Sequence, residues 1–318
     1  MGKPLVSVIT IFRNAQRFIE EAVDSVLSQT YANWEFLLVD DGSTDNSTQV
    51  ALQYAARYPA KLHYLEHRSH ENRGTASSRN LGLRHSKGEL VAFLDADDVW
   101  LPEKLERQVA MMAKYPEVAM AYEATVFWGS WQEDGQDIDQ DLGVQPNLSV
   151  GPPNLLPVFL TDEDATPATC SVMFRRAALE QAGGFDESFA GMYEDQALYA
   201  KICLEDSVFV AEGFLSKYRK HSDSLCSIME KDGQCARARQ LFLTWLADYL
   251  TQRRITDVNV WRALETQMWP YRHPFLKRTL GTLLHLFGHN LPAKTRRHVG
   301  LRILRKFGLP ASITVPEP

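Results

Sequence analysis

The sequence predicts an α/β fold: a mostly parallel sheet flanked by helices, followed by a helical C-terminal extension. Three observations carry this. Strand-like and helix-like segments alternate over the first 115 residues. Most of those strands are continuous apolar runs, the pattern of strands buried on both faces of a parallel sheet. From about residue 228 onward the pattern turns helical and increasingly basic.

The elements follow in order. LVSVITIF (5–12) is a β-branched, buried strand. AQRFIEEAVDSVLSQT (15–30) sets Phe18, Ile19, Ala22, Val23, Val26 and Leu27 at helical spacing. WEFLLVDD (34–41) is a second strand, and TDNSTQVALQYAARY (44–58) a helix capped by Ser43 or Thr44. KLHYLEH (61–67) is the third strand. TASSRNLGLRHSKG (75–88) is a short helix that Gly88 would stop in a left-handed conformation. ELVAFLDAD (89–97) is the fourth strand, and LPEKLERQVAMMAKY (101–115) a helix with proline in its first turn. Residues 116–131 hold one or two strands, and 132–154 form an acidic loop containing Gly and Pro. A strand, a helix and a GGFDE turn occupy 165–189, with a helix at 193–205 and a strand at 207–221.

The chain has 318 residues, 45% of them hydrophobic and 23% charged, enough for a large core. Its net charge of -6 argues against a nucleic-acid binder. The charge is unevenly spread. Residues 270–318 hold nine basic residues (Arg272, Lys277, Arg278, Lys294, Arg296, Arg297, Arg302, Arg305 and Lys306) against the single acid Glu317, a net +8 that leaves −14 on the remainder. Within that tail, 277–287 and 299–307 mix Lys and Arg with Leu, Ile and Phe, the pattern of an interfacial helix facing anionic lipid. Cys170, Cys203, Cys226 and Cys235 are scattered, without zinc spacing, and suit a reducing compartment. The N-terminus has no signal-peptide layout, and no apolar run reaches spanning length. The expectation is a cytoplasmic protein with peripheral contact to the inner face of a membrane.

Ligands of parallel sheets sit at the carboxyl ends of the strands, and this chain places acids there twice. Asp40 and Asp41 end the second strand; Asp95, Asp97 and Asp98 end the fourth. Aspartates also cap helices and fill turns. Yet three like charges in four positions are costly unless a cation sits among them. Carboxylate oxygens suit Mg2+ or Mn2+, which take one or two of them together with substrate phosphates. Asp41 is placed to accept from a ribose hydroxyl or a base N–H. Neither G-x-G-x-x-G nor a Walker lysine loop follows the first strand, so a nucleotide would be held another way.

Three stretches together carry a resemblance: VSVITIFRNAQRFIEEAVDSVLSQTYANWEFLLVDDGSTDNS, RGTASSRNLGLRHSKGELVAFLDADDVWLPEKL and GGFDESFAGMYEDQAL. Their order and spacing resemble a family 2 glycosyltransferase of the GT-A fold, over about residues 5–221. The resemblance implies a Rossmann-like catalytic domain at 1–225, with 226–318 as a basic helical extension. It implies an inverting transfer of sugar from a nucleotide-sugar donor, most often UDP-linked, to a hydroxyl of a glycan or lipid-linked acceptor, with Mn2+ or Mg2+ on the diphosphate. By the same resemblance Asp41 contacts the base and Asp40 supports its loop. Arg79 lies near the nucleotide and its phosphates, and Ile11 lines the donor site. Asp95 lies on the ribose side, Asp97 holds the metal with Asp98 beside it, and Asp195 is the general base with Glu194 adjacent. His221 reaches the metal or diphosphate. Two alternatives stand beside this: a non-catalytic nucleotide-sugar or glycan-binding module on the same fold, and a nucleotidyltransferase.

Overall fold

The computed structural model describes residues 2–189 and 191–275. They divide into two compact units, with the break between Ala238 and Arg239. In chain order the elements are β1 (Val6–Phe12), α1 (Ile19–Leu27), β2 (Trp34–Asp40), α2 (Ser47–Arg57), β3 (Leu62–Glu66), α3 (Thr75–His85), β4 (Leu90–Phe93), β5 (Val99–Trp100) and α4 (Lys104–Lys114). There follow β6 (Val118–Trp128), β7 (Ile138–Asp139), β8 (Leu148–Val150), α5 (Leu155–Thr161), β9 (Val172–Arg175), α6 (Arg176–Gln181), α7 (Glu194–Glu205), β10 (Ser207–Arg219), α8 (Leu225–Lys231), α9 (Cys235–Gln252) and α10 (Val258–Arg272). The basic stretches at 277–287 and 299–307 lie outside the described residues. No described helix is long and apolar enough to cross a membrane.

The sheet runs β3-β2-β1-β4-β9-β6-β10-β5. Its first half is parallel, with β1 paired to both β2 and β4, and β2 to β3. The second half is mixed. β9 runs antiparallel between β4 and β6, while β6 and β10 pair in parallel. Two reversals restore the original direction, so β1, β2, β4, β6 and β10 all end at one edge. The β1 and β2 rows are buried at every position, as mostly apolar strands inside a parallel sheet are; their polar pair Ser7 and Glu35 is hydrogen-bonded across the two strands at 2.6 Å.

Four local details differ from the sequence expectation. The stretch 132–154, expected as a loop, holds the short strands β7 and β8. The helix expected from 101 starts at Lys104, past Pro102. Helix α2 starts at Ser47 rather than at 44. Side chains hold the preceding turn in a non-helical form: Asp40 Oδ1 accepts from Ser43 N (2.8 Å), Asn14 Oδ1 from Thr44 N (2.7 Å) and Asp45 Oδ1 from Ser47 N (2.9 Å). Gly88 is not a left-handed helix stop, for α3 already ends at His85. A Cβ at Gly88 would sit 2.5 Å from Ser7 N and 2.6 Å from Leu5 O. Glycine is needed there because the chain enters β4 pressed against the backbone of β1.

The core of the first unit lies between the sheet and α1 and α4, with Ile19, Val23, Val26, Leu105 and Met112 packed on Val8, Leu38, Leu90 and Ala121. It also encloses an ion pair. Lys104 and Glu123 are each fully buried, 2.7 Å apart, and Gln108 Nε2 donates to the second carboxylate oxygen. Such pairs contribute little net stability, but removing one partner strands a buried charge. Lys104→Met is expected to lower unfolding stability by about 3–5 kcal/mol, and adding Glu123→Leu to recover most of that loss. Urea denaturation of the two variants checks this.

Candidate active site

The site forms where the sheet strands end. Strand β4 stops at Phe93, and a turn closed by Asp98 N to Asp95 O (3.0 Å) carries all three aspartates. The turn folds this way because each acid finds a different neighbour. Asp95 Oδ1 accepts from Arg79 Nη2 at 2.8 Å. Asp97 Oδ2 lies 2.9 Å from His221 Nε2. Asp98 Oδ1 accepts from the Arg219 backbone N–H at 2.9 Å. Burial, with Asp97 and Asp95 adding repulsion, pushes the Asp98 carboxyl pKa well above the usual carboxylate range. Asp95 is raised as well, again chiefly by burial. The cost of clustering is therefore relieved within the chain, by one guanidinium, one imidazole and one backbone amide.

Arg79 is the junction. It projects from α3, is 4% exposed, and its second nitrogen donates to Glu194 Oε1 at 2.5 Å. Burial disfavours its charge, but Asp95 and Glu194 outweigh that and hold its pKa above the usual arginine value. Helix α7 begins at Glu194 after Tyr193, which sits in the left-handed region at φ 71°. That residue turns the chain sharply, so that Glu194 and Asp195 both open the helix. The two acids differ in fate. Glu194 is taken by Arg79. Asp195 accepts only from its neighbour Gln196 N (2.7 Å) and, at 3.5 Å, from Thr169 Oγ1. No lysine, arginine or histidine bonds it among the described residues. Burial, followed by the adjacent Glu194 charge, pushes its pKa up to about 7.

Asp41 and Asp40 end β2, but only Asp41 faces the site's rim. Its carboxylate accepts from Arg73 N (2.7 Å) and Gly74 N (3.0 Å) at the start of α3. Asp40 turns the other way and accepts from Ser43 N, Thr48 Oγ1 and Tyr64 OH, bracing the turn. Ile11 is buried within β1 in register with Val39 and meets none of the site carboxylates through a hydrogen bond.

Sequence reasoning passed over Arg219. Its guanidinium donates to the Asp97 backbone oxygen (2.7 Å) and to Glu21 of α1, with Phe18, Trp128 and Trp131 packed around it. It is 3% exposed. The available signal was its place two residues before His221. Glu21 gave none, being one of several acids on a helix face.

Among the described residues no three potential ligands gather around one point. The donor set nevertheless fits a divalent ion that also binds a diphosphate. Asp97 supplies a hard oxygen and is about one-third exposed (31%). His221 Nε2 faces the same point, and its Nδ1 is buried with no partner. Two protein ligands completed by phosphate oxygens is an ordinary arrangement for Mg2+ or Mn2+.

Comparison with known proteins bears on the family and the fold. The model of glycosyl transferase family 2 matches residues 7–183, more than half of the chain. WfgD of Escherichia coli, a UDP-Glc:alpha-D-GlcNAc-diphosphoundecaprenol beta-1,3-glucosyltransferase, is 41% identical over 114 residues, 36% of this chain and 43% of that one. S. aureus TarS 1-349 in complex with UDP superposes with a TM-score of 0.55 at 18% identity, covering 95% of this chain and 85% of that one. The mannosyltransferase PcManGT from Pyrobaculum calidifontis, solved with GDP-Man and Mn2+, gives 0.60 at 20% identity, covering 98% and 85%. The two structures share the GT-A fold expected here. The chain spans about half the length of the first curated relatives it matches. The alternation of β1 to β4, the aspartate turn and the match over 7–183 make this chain a member of glycosyl transferase family 2.

Proposed function

We propose that the chain is an inverting, metal-dependent glycosyltransferase that moves a sugar from a uridine diphosphate donor to an acceptor hydroxyl. The observation that carries the reading is Asp195: a carboxylate beside the aspartate turn, joined to it through Glu194 and Arg79, with its pKa near neutrality. A base poised near the working pH is what removal of a hydroxyl proton requires. The acceptor O–H gives its proton to Asp195 as the acceptor oxygen bonds to the anomeric carbon. The bond from that carbon to the diphosphate breaks at the same time, and the nucleoside diphosphate leaves with the electron pair. A single displacement inverts the anomeric carbon, and no second carboxylate stands free as a nucleophile among the described residues of the turn.

Asp97 and His221 would hold the divalent ion, which supplies Lewis-acid stabilisation of the leaving diphosphate. Asp41 would read the base, with Asp95 on the ribose side and Arg79 as the cation of the same wall. Asp98, buried and bonded to the Arg219 backbone, serves the turn and not the ligand. Support for UDP comes from the UDP-Glc donor in the name of WfgD and the UDP bound to TarS. The acceptor class follows WfgD, whose named acceptor is a lipid diphosphate. The reading therefore takes a glycan or lipid-linked acceptor, reached by an enzyme that the basic tail holds at an anionic membrane. The domains follow the same proposal, with catalysis in 1–225 and the basic extension in 226–318.

Four outcomes test it. Asp195→Asn should cut transfer by about 10^2- to 10^4-fold while leaving UDP binding in place, as measured by turnover and by calorimetry. In the native chain kcat/KM should rise with pH through about 7 as Asp195 loses its proton. Because the Glu194 charge raises the Asp195 pKa, Glu194→Gln should move that rise to lower pH. Finally, UDP with Mn2+ should raise the melting temperature of the native chain, and Asp97→Ala should abolish the metal-dependent part. If no nucleotide shifts the melt under any metal condition, the donor-site reading is wrong.

A further inference from the structure

The turn that carries Asp41 is enclosed by the segment between β3 and α3. Residues 70–72 lie directly on Gly42, which is left-handed at φ 75°; a Cβ there would come within 2.8 Å of Asn72 N. Ser69 and His70 both take left-handed backbone angles, φ 64° and 53°, which non-glycine residues adopt only when their surroundings hold them. This unusual course brings the His70 ring back over the turn. His70 Nε2 lies 2.8 Å from the Ser43 carbonyl oxygen, and Nδ1 lies 2.8 Å from Glu66 Oε2 at the end of β3.

Both partners are obligate acceptors. A carbonyl oxygen has no proton to give, and the Glu66 oxygen already accepts from Tyr64 OH at 2.8 Å. A neutral imidazole has one donor nitrogen and one acceptor nitrogen, so it would set a lone pair against one of the two oxygens. Only the imidazolium satisfies both. We infer that His70 is a positioning residue for the donor base, a doubly protonated clasp that fixes the turn presenting Asp41 and releases it when it loses its proton. This rests on the reading of Asp41 as the base contact. Asp41 does not touch His70; the effect passes through Ser43, Gly42 and the Arg73–Gly74 amides that Asp41 accepts.

The electrostatics agree. The charged groups around the ring are Glu66 from β3 and Asp40 from the end of β2, with Tyr64 bonded to both acids. The Ser43 carbonyl, then Glu66, raise the pKa of His70 above the usual histidine value. Since the folded pKa is raised, the clasp is complete below about pH 6.5 and is lost as pH climbs through the folded value. His67, the other histidine by this turn, bonds Ser78 and lies 3.7 Å from Asp41 Oδ1, and burial pushes its pKa below the usual histidine value.

The test is UDP binding to the full chain with Mg2+, by calorimetry at pH 6.5 and 8.5, for the native protein, His70→Gln and His70→Lys. The native affinity should fall on the order of three- to tenfold over this range, as expected for losing one charge-assisted hydrogen bond. His70→Gln should bind weakly at both values with no such fall. His70→Lys, charged throughout, should also lack it. Nitrogen NMR of the native chain should show both His70 ring nitrogens protonated at pH 6.5. A neutral ring at pH 6.5, or a native-to-Gln affinity ratio that is the same at both pH values, overturns the inference while leaving the donor site standing. Absence of UDP binding at either pH removes the donor-site reading, and this one with it.

Discussion

Arg79 spans 115 residues of sequence with two hydrogen bonds. It ties Asp95, on the turn after β4, to Glu194, at the head of α7. A buried guanidinium is costly to desolvate, and replacing such groups with apolar ones is often neutral for stability. What its planar fork contributes is geometry: two carboxylates from distant elements held at fixed distance and angle. The remaining arrangement depends on that spacing. With Glu194 drawn to Arg79, the next residue, Asp195, is set into the site without a cation of its own, and burial can raise its pKa. The same pair of acids one position out of phase would offer a neutralised base and a free bystander.

The aspartate turn divides labour in the same way. Its three acids look alike in sequence and are unlike in the fold. Asp95 is ion-paired, Asp97 is about one-third exposed beside an imidazole, and Asp98 is buried against the Arg219 backbone. Arg219 takes part in two of these fates, bonding the Asp98 carboxyl through its backbone and the Asp97 carbonyl through its side chain. The aromatic rings around Arg219 exclude water from those bonds, which strengthens them.

Much of this was legible in the sequence because it rests on local pattern. Continuous apolar runs gave β1, β2 and β4, and helical spacing gave α1 and α4. Acids at strand ends pointed to the site, since the carboxyl edge of a parallel sheet is where ligands gather. What was not legible depends on contacts between distant residues. The delayed start of α2 is set by Asn14, thirty residues upstream of Thr44. The role of Gly88 comes from the backbone of β1 and leaves no mark in its own neighbourhood. The antiparallel course of β9 follows from its insertion between β4 and β6, while its three apolar residues, Val172 to Phe174, read equally well in either direction. The separation of Asp40 from Asp41 is set by distant partners: Asp40, the last residue of β2, accepts from Ser43, Thr48 and Tyr64, while Asp41, just past the strand, accepts from the Arg73 and Gly74 amides.

The position of β9 also bears on how the chain is made. Strand β4 is complete by residue 93, yet the neighbour that covers its second edge, residues 172–175, is synthesised almost eighty residues later. Until then a four-residue apolar strand in the middle of the sheet presents unpaired amides and carbonyls. At ordinary rates of translation that interval is on the order of several seconds. The nascent chain therefore passes through a stage in which its parallel half can fold but cannot close.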